Sequence, residues 1–411
     1  MSDEAGFLPR PSRRNTSAMI DAAASSFDAA HYHGIMALYA TPMKERRVRV
    51  SATGAPIIDF VRCSYLGLDN HPAIVEGAAS AVTTNGALHW SCARTRLNFA
   101  MLEDLEAELS GLFQAHVITF TTVLAANMSA LPLLASGHMT RGHKPLMVFD
   151  RLAHATLAYH KSVVAEETSV ETIPHNDLNA LEALCKSNPQ VAYVCDGVYS
   201  MGGEAPLEGL RTLQDKYGLF LYIDDAHGIS IEGKNGAGFA RSFLGELGER
   251  TIVAASLGKG YGASGGLLML GTSAQELLFR RFAIAYAFSA SLNTAAIGAA
   301  LASARIHRSD ELLDRQRALR DNLALLDNLL PTPHGSSPLP IRTVHIGDEL
   351  QAVAAARHLL EQGYYTSAIF FPTVARGEAG LRICLTSSHS HQQISELATA
   401  VHALKAELNT Y

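Results

Sequence analysis

Lys259 is the residue around which chemistry can be argued. It follows an apolar run, Thr251 to Ala255, and has glycine on both sides. Further glycines stand at 262, 265 and 266, ahead of a second apolar run, Leu267 to Leu270. A lysine at the end of a buried strand is partly desolvated, which favours the neutral amine. A neutral amine attacks carbonyls and forms imines. The glycines allow backbone to approach something flat or anionic. On this stretch alone, a strand, a glycine turn and a surface lysine remain an open reading. A phosphate-binding P-loop would need glycine where Val253 stands and Ser or Thr where Gly260 stands. A dinucleotide fingerprint would need a helix opening within the glycines, and the pattern here continues into a strand.

Other apolar runs end in equally reactive types. They carry Asp150-Arg151-Leu152-Ala153-His154, then Asp196, then Asp224-Asp225-Ala226-His227. An imine-forming lysine, a carboxylate three residues before a histidine and a second histidine fit a pyridoxal phosphate site. Such a cofactor is an electron sink whose ring nitrogen needs a carboxylate to stay protonated. Its phosphate needs hydroxyls and backbone N–H groups. Asp224 and His227 also fit a metal pair or a capped strand end. No third ligand stands at suitable spacing, so no metal is expected.

These residues need a scaffold that brings strand ends together. Strand-like runs at 116–121, 146–150, 191–195, 219–223, 251–255 and 267–270 alternate with helical patterns such as Leu207 to Tyr217. The expectation is an α/β fold, a mostly parallel central sheet with helices on both faces. Ligands then bind beyond the carboxyl ends of the strands. Upstream, a helix-like stretch is read around Ala22 to Met43, and a strand at 55–61. A helix capped by Asp69 and Asn70 precedes a loop holding Trp90, the single tryptophan, and a helix from Met101 to Phe113. After a charged helix, Asp310 to Leu330, the loop at 331–340 opens a smaller α+β unit. It has strands at 341–346, 365–370 and 380–386 and helices at 349–362 and 392–408.

The chain has 411 residues, 48% hydrophobic and 18% charged, with a formal net charge of −6. That length supports a large core and two domains. No long basic run favours nucleic acid. Five cysteines without a CxxC pair fit reduced thiols, and the polar N-terminus has no apolar signal core. A cytoplasmic protein is expected. The uncharged stretch 282–304 is long enough for a membrane span, but its Ala, Gly and Ser content is too polar for lipid. It is read as a helix buried in a core or subunit interface.

Six stretches resemble the α-oxoamine synthase family of pyridoxal phosphate enzymes, in family order. They are YLGLDNHPAI (65–74), DRLAHATL (150–157), GVYSMGGEAPL (197–207), YIDDAHGISIEGKNGAG (222–238), SLGKGYGASGG (256–266) and PTVARGEAGLRICLTSSH (372–389). The resemblance implies a PLP-dependent transferase of fold type I with a smaller C-terminal α+β domain. It implies an arm over 1–48, a cofactor-binding domain over 49–295 and a small domain over 296–411. Lys259 would form the imine, Asp224 would pair with the ring nitrogen and His227 would reach the ring hydroxyl. His154 would stack on the ring, Ser200 would lie near the ring oxygen and Ser256 would contact the phosphate. Arg382 would bind the carboxylate of an amino-acid substrate. The family works as homodimers, and Ser289 and Ser291 fall where it reaches the neighbour's phosphate.

The sequence departs from the family at several sites. Val123-Leu124 replaces a glycine–aromatic pair in the phosphate loop. Cys63 stands where an asparagine usually supports the substrate arginine. Trp90 lies in a loop the family keeps glycine-rich, and Asp196 replaces a glutamate. The implied reaction joins an amino acid to an acyl thioester, carried by CoA or a carrier protein, with loss of carbon dioxide. An aminotransferase, or a non-catalytic relative that binds a partner, are the competing readings.

Overall fold

The structure, a computed structural model, describes residues 16–335 and 337–408. The polar start of the arm, residues 1–15, lies outside the described residues. The strands, in chain order, are β1 (Ala40–Pro42), β2 (Arg47–Val50), β3 (Pro56–Asp59), β4 (His116–Phe120), β5 (Leu146–Asp150), β6 (Val170–Ile173), β7 (Val191–Asp196), β8 (Phe220–Asp224), β9 (Thr251–Ser256), β10 (Gly266–Leu270), β11 (Ile341–Gly347), β12 (Tyr364–Tyr365), β13 (Ser367–Ile369) and β14 (Ala379–Cys384).

The central sheet runs β4-β10-β9-β8-β7-β5-β6. Neighbours from β9 through to β6 pair in parallel, and β10 is antiparallel to both its neighbours. Its strands read as unbroken apolar runs because both faces are covered. Phe220 and Tyr222 of β8 enter one core, while Leu221 and Ile223 enter the other. Ile252 and Ala254 of β9 divide from Val253 and Ala255 in the same way. This period of two is invisible in composition, since every position is apolar. The β6 strand and the helix Leu178–Ser187 that follows it are additions to the sequence reading.

Four early helices are α1 (Thr16–Tyr32), α2 (Pro72–Asn85), α3 (Ala100–Phe113) and α4 (Val123–Ala135). The helix expected from Ala22 to Met43 is instead α1, and β1 occupies its tail. Gly34 at φ 65° turns the chain where the helix pattern was read as continuing. The cap of α2 is His71, not Asp69 or Asn70: its Nδ1 accepts the Ala73 N–H at 3.2 Å. Asp69 is engaged elsewhere, 2.9 Å from Arg62 Nη1.

The uncharged 282–304 stretch is not one helix. A short helix Ile284–Ala287 and a helix Thr294–His307 flank a connection capped by Asn293. The second helix lies hard against α2. A Cβ on Gly298 would sit 2.2 Å from the Gly77 carbonyl oxygen, and one on Gly77 would sit 2.7 Å from that of Gly298. Small residues here serve close packing of two helices. Among the described residues, no helix is long and apolar enough to cross a membrane.

The last third forms a three-stranded antiparallel sheet, β11-β14-β13. A separate sheet, β1-β2-β3-β12, pairs residues 40–59 with Tyr364–Tyr365. Ile58 and Phe60 share one core with Val344, Leu381 and Leu397. The chain after β3 also docks on β14: the Cys384 N–H donates to Phe60 O at 2.8 Å. That contact brings Cys63 beside Arg382, although 319 residues separate them in sequence.

Candidate active site

A cavity of about 350 Å³ opens at the carboxyl ends of β7, β8 and β9. Asp196, Asp224 and Ser256 close those strands and line it. His154, His227, Lys259, Val123 and Leu124 line it too.

Lys259 sits in the hairpin between β9 and β10. Its carbonyl accepts the Gly262 N–H at 3.0 Å, and Leu257 exchanges bonds with Gly265 and Ala263. The hairpin glycines are needed for backbone contact within the protein. A Cβ on Gly262, whose φ is +78°, would lie 2.3 Å from Leu68 Cβ. One on Gly266 would lie 2.5 Å from the Val123 nitrogen. The lysine is half-buried, and burial lowers the pKa of its amine; Asp224, Cys63 and Asp196 oppose that shift. Its Nζ lies 2.8 Å from His227 Nε2, whose ring is kept neutral by burial and by the nearby cations.

Asp224 is aligned by its neighbours. Asn127 Nδ2 donates to one oxygen at 3.1 Å, and the Ala226 N–H donates to the other at 3.1 Å. Asn127 is itself held by the Tyr222 hydroxyl at 2.6 Å. Each carboxylate oxygen keeps acceptor capacity for a further donor. Asp225 points the other way, accepting the Ala240 N–H at 3.0 Å. Asp196 accepts the backbone N–H of His154 at 2.8 Å, so it positions that histidine. Burial and the charge of Asp224 push its carboxyl well up. His154 Nδ1 accepts from the Thr156 N–H, and burial lowers its pKa.

Val123 and Leu124 begin α4, and Thr122 caps it by accepting the Ala125 N–H at 3.1 Å. The first amides of this helix therefore face the cavity, an arrangement suited to an anion. Leu124 lines the cavity and is 44% exposed.

Arg382 lies on β14. Its Nε donates to the Ser200 carbonyl at 2.6 Å, and its Nη2 lies 3.6 Å from Cys63 Sγ. Ser200 thus meets the arginine through its backbone. Ser200, Arg382 and Cys63 lie outside the cavity lining, as do Trp90, Ser289 and Ser291. Trp90 is 55% exposed and stacks on Phe99 at 4.1 Å between ring centroids. Ser289, partly buried, lies in the connection after Ile284–Ala287, and Ser291 donates to the Leu292 carbonyl at 2.9 Å.

Sequence reasoning gave no role to Tyr65, Thr122, Asn127, Thr156 or Ser264. The signal for Asn127 was present: an amide within the apolar run VLAANMSALPLLA needs a buried partner. Tyr65, fully buried, reaches His227 Nδ1 at 2.6 Å through a fold contact with no local signature.

The residues fit pyridoxal phosphate. A buried amine, an aligned carboxylate with spare acceptor capacity and a helix N-terminus converge on one cavity. Fold and cavity together define a pyridoxal phosphate-dependent enzyme of fold type I. A sequence model of the family "Aminotransferase class I and II" matches residues 93–401. The 8-amino-7-oxononanoate synthase of Maricaulis maris is 32% identical over 363 residues, covering 86% of this chain and 88% of that protein. That of Methylococcus capsulatus is 33% identical, covering 86% and 90%. Serine palmitoyltransferase from Sphingomonas wittichii shares the fold at 22% identity, with a TM-score of 0.83 over 97% of this chain and all of that one. The 8-amino-7-oxononanoate synthase structure from Francisella tularensis gives 0.71 at 21% identity over 86% of this chain and 98% of that one. The chain belongs to the aminotransferase class I and II family and, within it, to the α-oxoamine synthases.

Proposed function

We propose that this protein condenses an α-amino acid with an acyl thioester, releasing carbon dioxide and a thiol and leaving an α-amino ketone. The observation that carries the reading is the pairing of two sites. The Lys259 amine lies 2.8 Å from His227 in the cavity, and the Arg382 guanidinium is near enough to act electrostatically on Lys259, His227 and His154. Pyridoxal phosphate, when bound, supplies an electron sink for the pair left on the α-carbon as a bond to it breaks. Lys259 tethers the cofactor and moves the α-proton at Nζ. Asp224 holds the proton on the ring nitrogen, and His227 hydrogen-bonds the ring oxygen. His154 covers a ring face. Ser256 and the amides of Val123 and Leu124 hold the phosphate. Arg382 binds the amino-acid carboxylate as a planar fork, aimed by the Ser200 carbonyl.

We assign the protein to homodimers with Ser289 directed to the neighbour's cofactor phosphate. Exposed apolar side chains on Leu88, Trp90, Leu97, Phe282 and Phe288 support that contact surface. Trp90 favours an apolar acyl chain over one ending in a carboxylate.

The test is an intact-mass survey of products from the purified holoenzyme with amino acids paired to acyl-CoA and acyl-carrier thioesters. The expected product has the combined mass less carbon dioxide and thiol. Exchange of the amino group onto a keto acid would make the protein an aminotransferase, and silence across the panel would support a binding role. Efficient use of L-alanine with a pimeloyl thioester would overturn the apolar acyl preference.

A further inference from the structure

A hydrogen-bonded run of side chains joins Asp224, at the end of β8, to His154, which follows β5; both line the cavity. Tyr222 Oη lies 2.6 Å from Asn127 Oδ1. Asn127 Nδ2 reaches Asp224 Oδ2 at 3.1 Å and Thr156 Oγ1 at 3.2 Å. Thr156 Oγ1 lies 2.9 Å from His154 Nδ1, and the Thr156 N–H donates to the same nitrogen at 3.2 Å.

The protons of this run have one consistent arrangement. A carboxylate only accepts, so the Asn127 amide turns its nitrogen toward Asp224 and its oxygen toward Tyr222. The Tyr222 proton goes to that oxygen. Both amide hydrogens are then engaged, one with Asp224 and one with Thr156. Thr156 Oγ1 accepts from Asn127, which leaves its own proton for His154 Nδ1. The backbone N–H of Thr156 reaches Nδ1 independently, and it can only donate. Two donors on one imidazole nitrogen require it to be bare. The ring is therefore neutral and carries its proton on Nε2. Tyr222 and Asn127 are fully buried, so the direction of the run is set from inside the fold rather than by solvent.

We propose that Asn127 positions two cavity groups at once: it aligns Asp224 directly and, through Thr156, holds the His154 proton on Nε2. Tyr222 fixes the amide, the amide fixes the hydroxyl, and the hydroxyl fixes the imidazole. His154 meets the cavity as a neutral ring whose single N–H donor is Nε2. What Asp224 and His154 do toward a cofactor rests on the proposed function; the tautomer of His154 does not.

The test uses holoenzyme with isotope-labelled histidine and with pyridoxal phosphate labelled at the ring nitrogen, both read by nitrogen NMR. His154 signals are assigned by difference against His154→Gln. Wild type should show a protonated Nε2 and a bare, hydrogen-bonded Nδ1. Thr156→Val should shift the Nδ1 signal toward that of a nitrogen with a weaker donor, and Thr156→Ser should restore it. The cofactor nitrogen should stay in place in both. Asn127→Leu should move both signals, because it takes a donor from Asp224 and frees the Thr156 hydroxyl. If Asn127→Leu does not fold, Tyr222→Phe takes its place: the amide loses its anchor, and both signals should move by less. A proton on His154 Nδ1 in wild type overturns the proposal, as does a Thr156→Val signal identical to wild type. An Asn127 variant that moves the cofactor nitrogen alone overturns the coupling. A cofactor nitrogen that Asp224→Asn also leaves in place overturns the proposed role of Asp224 instead, and the His154 signals then decide the tautomer by themselves.

Discussion

Two clusters of buried charge in this molecule, around Glu106 and around Lys259, follow opposite rules. Around Glu106 every charge meets its opposite. Its carboxylate takes Arg94 at 2.6 Å, Arg280 at 2.8 Å and the Thr119 N–H at 2.8 Å. Arg94 also lies 3.8 Å from the centre of the Tyr286 ring. Burial alone would raise the Glu106 pKa, but Arg94 and Arg280 outweigh it and hold the carboxyl low. Around Lys259 the charges do not balance. Asp196 and Asp224 are register neighbours on β7 and β8, and burial with mutual repulsion pushes Asp196 up. Burial pushes Lys259, His227 and His154 down. The Glu106 cluster borders the larger cavity, about 510 Å³ against about 350 Å³. Size therefore does not mark the site. Mismatched protonation does, because proton transfer needs groups whose charge can change near neutral pH.

The strongest way to break this contrast is Lys259→Ala. Turnover should fall by about 10⁴-fold or more, since the amine both anchors the cofactor and moves a proton. Stability should hold or rise, because a buried, unbalanced amine is removed. Borohydride followed by peptide mass mapping of the wild type should place the cofactor on Lys259. Label on another lysine would break the assignment.

Next in size is the adjacent pair of aspartates. Asp224→Asn should lower kcat by about 10²–10³-fold, through loss of one fixed charge at the ring nitrogen. Asp225→Asn should leave kcat within a few-fold. Asp225 fills a space that Gly197, Gly228 and Gly238 keep open, and burial pushes its pKa up to about 8. An amide copies that neutral acid. The sign is checkable. A carboxyl raised in the folded state stabilises fully below its unfolded pKa of about 4, and the benefit is lost as pH rises toward 8. Denaturant melts across that window should show a flatter pH profile for Asp225→Asn than for wild type. Equal slopes would place the proton elsewhere.

Glu106→Gln should do the reverse of Lys259→Ala. It strands two arginines, so stability should fall by about 3–5 kcal/mol while the cofactor spectrum and kcat of the folded fraction hold. A carboxyl lowered in the folded state stabilises above its unfolded pKa of about 4.3, and that benefit goes as pH falls through the folded value. Acid unfolding of Glu106→Gln should lose that component.

The sequence made the carboxyl edge of the sheet legible and left the Glu106 cluster unread. Lys259, Asp224 and His227 each end or follow an apolar run, so their placement is a local fact about strands. Glu106 lies on the helix expected from Met101 to Phe113, on the same buried side as Leu102, Leu105 and Leu109. Its partners come from residues 94, 119 and 280, a convergence that only tertiary packing creates. Tyr65 and Asn127 escaped for the same reason. The β10 reversal was implicit in its short glycine link to β9, too short for a parallel crossover.

The smallest expected effect falls where the two regions meet. Trp90 stacks on Phe99, which precedes α3, the helix that carries Glu106. By that contact it belongs to the paired-charge region. Yet 55% of its surface is open, and it faces away from the packed core. Losing the stack should lower stability by about 0.5–1.5 kcal/mol in Trp90→Ala. If the open face meets an acyl chain, the ratio of kcat/KM between a long apolar thioester and pimeloyl-CoA should fall by roughly 10-fold. The KM for the amino acid should not move, since Arg382 and Cys63 lie at the other site. Stability and acyl preference moving together, with the amino-acid KM fixed, would make Trp90 a joint between scaffold and substrate. A change in stability alone would return it wholly to the scaffold. A change in the amino-acid KM would mean that the two regions are coupled through the α3 end of the molecule, and the contrast between them would have to be redrawn there.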